Sequence, residues 1–198
     1  MSRSIHPIEA ESYRILRSMV DLSHLGPLSR AVAERVIHAS ADLEYAESLV
    51  LDEAALRRGY EALLSGAPLV ADVRMVAAGI TTREVRCFVS DGRTKRLAAE
   101  AGLTRSAAGF RVACGEVGPG AVWVVGNAPT ALFELLGSGA EPALVVGLPV
   151  GFVGASESKA ELVASGLPCL TNVGMKGGSA VASAALNALL YYGEEEGL

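Results

Sequence analysis

Ala121-Val-Trp-Val-Val-Gly-Asn-Ala-Pro-Thr130 and Ala143-Leu-Val-Val-Gly-Leu-Pro-Val-Gly-Phe-Val-Gly-Ala-Ser-Glu-Ser-Lys159 decide the fold. Each opens on a short, unbroken apolar run, as a parallel strand covered on both faces requires. Each then passes through a small-residue turn into a helix. In the first, Pro129 suits the opening helical turn and Asn127 can cap it. In the second, a helix is expected from about Ser156, with Ser156 as its N-cap. Ligands of open α/β sheets bind where such strands end. Two glycine-rich loops in succession at that edge point to a ligand that backbone approaches closely.

Upstream, Pro68-Leu-Val-Ala71 reads as a strand, followed by a brief helix through Met75 to Ala78. Glu84-Val-Arg-Cys-Phe-Val89 reads as the next strand. Asp91 and Thr104 are positioned to cap two helices, the second running from Arg105 to about Gly115. Downstream, Cys169-Leu-Thr171 is a last short strand, and Gly177-Gly178 starts a closing helix. Five strands alternating with helices imply a parallel sheet covered on both faces. A flavodoxin-like order, 2-1-3-4-5, is one common solution; it sets Asp72 beside Gly126 at the switch point.

Three helices precede the sheet. Ile5-His-Pro-Ile-Glu-Ala-Glu-Ser-Tyr-Arg-Ile-Leu16 begins one at a proline. Leu28, Val32 and Val36, spaced by four, mark a second that carries His38 in its last turn. Asp52 to Ser65 forms the third, capped by Asp52 and stopped by Gly66. The expected architecture is a single domain over 1–198 of three-layer α/β/α type. A helical layer, 1–66, packs on an α/β core, 67–198, with a mostly parallel five-stranded sheet.

Composition narrows the function. Of 198 residues, 51% are hydrophobic, which suits a well-buried globular chain. A net charge of −5 argues against a nucleic-acid surface. No basic apolar leader opens the chain. The uncharged runs between Glu116 and Glu134 and between Lys176 and Glu194 are interrupted and too short to span a bilayer. The expectation is a cytoplasmic protein without membrane contact, its Cys87, Cys114 and Cys169 free thiols in a reducing compartment. No histidine, cysteine and carboxylate set has metal-ligand spacing. Gly177 to Tyr192 carries almost no charge, so its helix lies at the centre of the monomer or in a homodimer interface.

His38 is the strongest candidate for chemistry. Glu34 one turn earlier and the C-terminal end of the helix dipole both favour a charged ring, hence a proton donor. The competing reading is an ordinary surface or core histidine. The Gly126–Thr130 turn can present N–H groups to an anion, yet it is neither a phosphate-loop motif nor a dinucleotide fingerprint. Arg83, Arg86, Arg105, Lys159 and Lys176 fall at strand ends or helix starts. Convergent there, they suit a substrate with several carboxylates, whereas solvated charge is the alternative.

Taken together, Val36-Ile-His-Ala-Ser-Ala-Asp42, Asp72-Val-Arg-Met-Val-Ala-Ala-Gly-Ile80, Gly126-Asn-Ala-Pro-Thr-Ala-Leu132, Gly147 to Lys159 and Gly177-Gly-Ser179 resemble the precorrin-8X methylmutases, or precorrin isomerases. The resemblance spans about His6 to Leu190. It implies a flavodoxin-like homodimer of cobalamin biosynthesis, with ligand near the subunit interface and no redox or metal cofactor. The implied reaction moves a methyl group from carbon 11 to carbon 12 of a contracted tetrapyrrole, precorrin-8X or cobalt-precorrin-8, giving hydrogenobyrinate or cobyrinate. The family's histidine falls on His38 and its arginine in a Thr-Arg-Ser motif on Arg105. Its threonine falls on Thr81 or Thr82. Ser12, Tyr13, Gly126, Asn127, Ala128, Gly151, Phe152 and Val153 complete the substrate contacts it implies. Met175-Lys176 stands where some relatives carry arginine. Two rivals share parts of this pattern: a flavin or nucleotide module shares the sheet, and a tetrapyrrole carrier shares the pocket without turnover.

Overall fold

The structure is a computed structural model and describes residues 6–193. Ile5, quoted above in the first helical segment, and Glu194, which ends the last uncharged run, lie outside the described residues. In chain order the strands are β1 (Leu49–Leu51), β2 (Leu69–Ala71), β3 (Val122–Val125), β4 (Leu144–Gly147) and β5 (Cys169–Asn172). They form one five-stranded sheet in the order β1-β5-β4-β3-β2. β2 to β5 are parallel, with Val122 opposite both Leu69 and Leu144; β1 alone runs antiparallel, against β5.

The apolar runs at the centre of the sequence are central in space. Every residue of β3 and β4 is buried, and their alternate side chains feed two cores. Val122, Val124, Leu144 and Val146 face one core. It is closed by α1 (Pro7–Met19), α2 (Pro27–Ser40), α4 (Glu53–Leu64), α5 (Arg74–Gly79) and α10 (Ser179–Tyr191), with the short α3 (Tyr45–Ser48) at its margin. Trp123, Val125 and Val145 face the other. There Phe110 meets Trp123 edge-on with ring centroids 5.0 Å apart. This second face is covered by α7 (Arg105–Val117), α8 (Pro129–Leu136) and α9 (Ala155–Ala164), with α6 (Gly92–Ala101) against α7. The uncharged closing helix, α10, is therefore central to the subunit, where it packs on α2 and α5.

Several helix starts follow local rules. Asp52, Asp91 and Thr104 cap α4, α6 and α7 through side-chain oxygens, as their sequence positions indicate. Two caps differ. Asn127 does not cap α8, because the carboxylate of Asp72 reaches that turn first. Ser156 is the second residue of α9, whose N-cap is Gly154 at φ 77°, a left-handed conformation that glycine adopts without strain.

Two strand expectations also change. Glu84 to Val89 is not a strand: only Arg86 bridges, in parallel, to Val70 on the outer side of β2. Glu84 and Arg86 are exposed there, so the segment gains little burial from further pairing. Conversely, β1 lies within the helical layer and adds a fifth paired strand at the far edge. At three half-buried residues it has too little periodicity to register in sequence. The described part of the helical layer, residues 6–66, thus shares both a strand and a core with the rest of the chain.

Candidate active site

His38 occupies the last turn of α2. That helix is fixed at its start by Glu53 of α4, whose carboxylate accepts the amides of Leu28 and Ser29 and the Ser29 hydroxyl at 2.7–3.0 Å. Burial works against the charged Glu53 carboxylate, but these donors outweigh it and hold its pKa below the usual range. At the other end Ala41 takes a left-handed cap (φ 51°), with its amide on Ile37 O. The next residue, Asp42, meets Lys176 of the β5–α10 loop at 2.6 Å, which ties the end of α2 to the carboxyl edge of the sheet. Lys176 also holds Glu44 at 2.6 Å; the pair lowers the Asp42 pKa and raises that of Lys176.

The imidazole is half-buried and held from α1. Its Nδ1 lies 2.8 Å from Ser12 Oγ, and its ring stacks on Tyr13 at 4.9 Å and 16°. Arg35, one turn before His38, donates to the Tyr13 hydroxyl at 3.4 Å, pairs with Glu9 at 3.6 Å and lies over the Tyr191 ring at 4.6 Å. The Tyr191 hydroxyl stands 3.3 Å from Thr81 Oγ1. A continuous set of contacts therefore runs Ser12, His38, Tyr13, Arg35, Tyr191, Thr81. Thr82 faces elsewhere, into a groove with Tyr60, Leu63 and Arg83. Beyond Tyr13 lies a cavity of about 220 Å³ between α1, α2 and the end of α10, lined by Arg17, Arg30, Arg35 and Glu34 among others.

Arg35 and Tyr191 were not singled out from sequence. The i, i+3 spacing of Arg35 and His38 is the signal that could have marked the first. Nothing local marks Tyr191. The expected Glu34–His38 pairing is absent: Glu34 instead receives a two-pronged bond from Arg17, both arms 2.8 Å.

The other anticipated residues fall into separate groups. At the switch point, Asp72 is buried, and its Oδ1 accepts the amide of Gly126 at 3.1 Å while Oδ2 accepts those of Asn127 and Ala128 at 2.9 and 2.8 Å. Burial pushes the Asp72 carboxyl up, against these amide bonds. The N–H groups expected to hold a ligand's carboxylate or phosphate at this turn are consumed by an internal carboxylate. A nucleotide module loses its usual anion cradle here.

Gly151, Phe152 and Val153 lie in the β4–α9 loop, with Gly151 N on Met175 O at 3.2 Å. Phe152 and Val153 are 91% and 88% exposed and, with Val150, Val173 and Met175, give the carboxyl edge an apolar patch. Arg105 is exposed at the start of α7, on the opposite face of the sheet from His38. It too sits near the carboxyl edge, since its neighbour Thr104 bonds Thr130 of α8 at 2.7 Å.

The basic residues do not converge. Arg83 donates to the carbonyls of Leu63 and Ala67. Lys159 is 1% exposed and donates to Asn172 Oδ1 at 3.0 Å and Lys176 O at 2.6 Å. Burial lowers its pKa to about 8. Among the described residues no group of three or more histidine, cysteine and carboxylate side chains could hold a metal ion, and no helix is long and apolar enough to cross a membrane.

A sequence model of the family described as precorrin-8X methylmutase matches residues 7–192. The chain belongs to that family. The cobalt-precorrin-8 methylmutase of Salmonella typhimurium is 41% identical to it, covering 93% of this chain and 94% of that one. A precorrin-8X methylmutase of a Sinorhizobium species is also 41% identical, with 94% of each chain covered. The structure of the precorrin-8X methylmutase of Thermus thermophilus superposes with a TM-score of 0.85 at 35% identity, over 93% of this chain and 96% of that one. Membership makes the chain an enzyme of the methylmutase kind, an isomerase.

Proposed function

We propose that this methylmutase acts in cobalamin biosynthesis, in the cytoplasm and as a homodimer, on precorrin-8X or cobalt-precorrin-8. It moves the methyl group from carbon 11 to carbon 12, with His38 as general acid. One observation carries the reading: Nδ1 of the half-buried His38 is engaged by Ser12 and one ring face by Tyr13, while Nε2 has no partner among the described residues.

In the protonated ring Nδ1–H donates to Ser12 Oγ, and Nε2–H is free to donate to the tetrapyrrole. Protonation of the conjugated system makes carbon 12 more electrophilic. The bond from carbon 11 to the methyl group then breaks as the bond to carbon 12 forms, and the proton returns to His38. The step is an isomerisation, so no atom is gained or lost. General acid catalysis of this kind contributes about 10²–10⁴-fold; orientation of the bound macrocycle contributes the remainder.

Thr81, rather than Thr82, is the threonine we assign to the substrate, because it joins the contacts that end at His38. The homodimer is supported by the exposed side chains of Val150, Phe152, Val153, Val173 and Met175, a patch of the kind that marks an interface. In the homodimer, Arg105 and the 151–153 loop complete the substrate site around its peripheral carboxylates. The chain acts as a single domain, and its parallel strands, taken with the Arg86 segment outside β2, support the flavodoxin-like reading of the sheet.

The test is His38→Ala, followed through the visible spectrum with precorrin-8X as substrate. The expected result is loss of turnover with binding of the coloured product retained. Isomerisation at the wild-type rate would refute the assignment.

A further inference from the structure

On α1 only Tyr13 and Leu16 are buried, so apolar packing holds this helix to α2 by little. Yet α1 supplies both groups that orient the imidazole. Their placement depends on polar contacts between the two helices, and these come from two arginines that act differently.

Arg17 belongs to α1 and grips Glu34 on α2. Its side chain is 41% exposed, and its guanidinium lies over the Tyr13 ring, 5.8 Å from the centroid, without a bond to the Tyr13 hydroxyl. Arg35 belongs to α2, is 13% exposed on its side chain and reaches two other helices at once: Glu9 and Tyr13 on α1 and the Tyr191 ring on α10. A planar guanidinium can make such contacts together: it donates at its edges while a face lies on an aromatic ring. Tyr13 is thereby held from its hydroxyl end while its ring lies on His38. Tyr191 is held by its ring while its hydroxyl meets Thr81.

We propose that Arg35 is a positioning residue of the methylmutase reaction, clamping α1 and α10 so that Tyr13, Ser12 and Thr81 present one fixed geometry around His38. The proposal rests on the function proposed above for its effect on turnover. Its effect on the imidazole stands apart from that reading.

The experiment compares Arg35→Met, Arg35→Lys and Arg17→Met with the wild-type chain by thermal melting, by kcat and KM with precorrin-8X, and by ¹⁵N NMR of His38. Arg35→Met should lower kcat by on the order of 10²-fold, the usual cost of a misplacement near 1 Å, with KM little changed. It should also shift the His38 Nδ1 resonance as the Ser12 bond loosens. Arg35→Lys keeps the charge near Glu9 but not the flat face on Tyr191, and it recovers part of kcat. If Arg35→Met does not fold, Arg35→Lys carries the same comparison. Arg17→Met should melt earlier, with a kcat loss and a His38 Nδ1 shift well below those of Arg35→Met, since the Arg17 guanidinium stands 5.8 Å from the Tyr13 ring centroid whereas Arg35 bonds the Tyr13 hydroxyl. Wild-type kcat or an unmoved Nδ1 signal in the Arg35 variants overturns the proposal. So does an equal kcat loss in Arg17→Met, which would assign the effect to helix docking in general. Should the wild-type protein not isomerise precorrin-8X, the functional reading falls while the NMR comparison still decides the role of Arg35.

Discussion

Lys159 allows a prediction whose size follows from its surroundings. Its ammonium is enclosed at the end of β5, where it faces two neutral oxygens, Asn172 Oδ1 and Lys176 O, and no carboxylate among the described residues. Burial without a counter-charge disfavours the protonated form and brings the pKa down from 10.5 to about 8. The folded chain therefore holds this proton more weakly than the unfolded chain does. Below pH 8 both states carry it, and folding bears the whole penalty, about 3 kcal/mol at about 1.36 kcal/mol per pKa unit. Between pH 8 and 10.5 the unfolded chain binds more protons, so stability rises with pH over that window. From pH 7 to 9.5 the gain from this one group is about 2 kcal/mol. Other groups titrate in the same range, so the measurement is a difference: urea unfolding of wild type and Lys159→Met at pH 7 and pH 9.5. Methionine matches the chain length and carries no proton. The wild type should gain about 2 kcal/mol on the variant across that interval. The absolute ranking at either pH is set by the two orphaned oxygens as well, and the slope isolates the Lys159 amine. Parallel pH profiles would show that the Lys159 amine is paired or hydrated, against the burial described.

Three further outcomes follow from single contacts. Asp72→Ala should destabilise the chain by at least about 2 kcal/mol, because three amides at the β3–α8 turn lose their acceptor. Added formate should restore part of the melting temperature in that variant and not in the wild type, while chloride at equal ionic strength should not. Gly126→Ala should cost about 1–3 kcal/mol by overpacking, since its Cβ would stand 2.7 Å from Val76 and 2.9 Å from Ala182 and Ser179; a melt unchanged from wild type would contradict this. Phe152→Ser should shift light-scattering mass towards the monomer without lowering the monomer's stability, since that ring is 91% exposed in the single subunit. An unchanged dimer would remove this loop from the interface.

What could be read from sequence was whatever a short window contains. The runs at Val122–Val125 and Leu144–Gly147 are apolar because both of their faces are covered, and each is adjacent in sequence to the helix it feeds. Caps at Asp52, Asp91 and Thr104 act over two or three residues, so they too were legible. The failures have longer reach. Asp72 satisfies amides some 55 positions away, and it displaced Asn127 from a role that local preference assigned it. Arg83 and Lys159 carry charge at strand or helix ends, as a ligand contact would, yet their partners are carbonyl and amide oxygens distant in sequence. β1 is three residues of half-buried chain whose only evidence is its partner, β5.

The use of Asp72 bears on where the chemistry can sit. In an open α/β sheet, the amides at the end of β3 are the natural place for an anion to enter. Here a side chain from the end of β2 fills that place, and Val76 and the first turn of α10 pack against the turn. With that place filled, the polar groups left around His38 come from elements outside the usual strand-end loops: Ser12 and Tyr13 from α1, Arg35 and His38 from α2, Tyr191 from α10 and Thr81 after α5. Such a layer offers side-chain donors in place of a tight nest of backbone amides, while the rings of Tyr13 and Tyr191 are buried against His38 and Arg35 and support those donors from behind. Asp72 therefore bears on the proposed site only indirectly. By satisfying the switch-point amides internally it leaves the helical face that carries His38 as the surface to which the proposed function assigns the macrocycle.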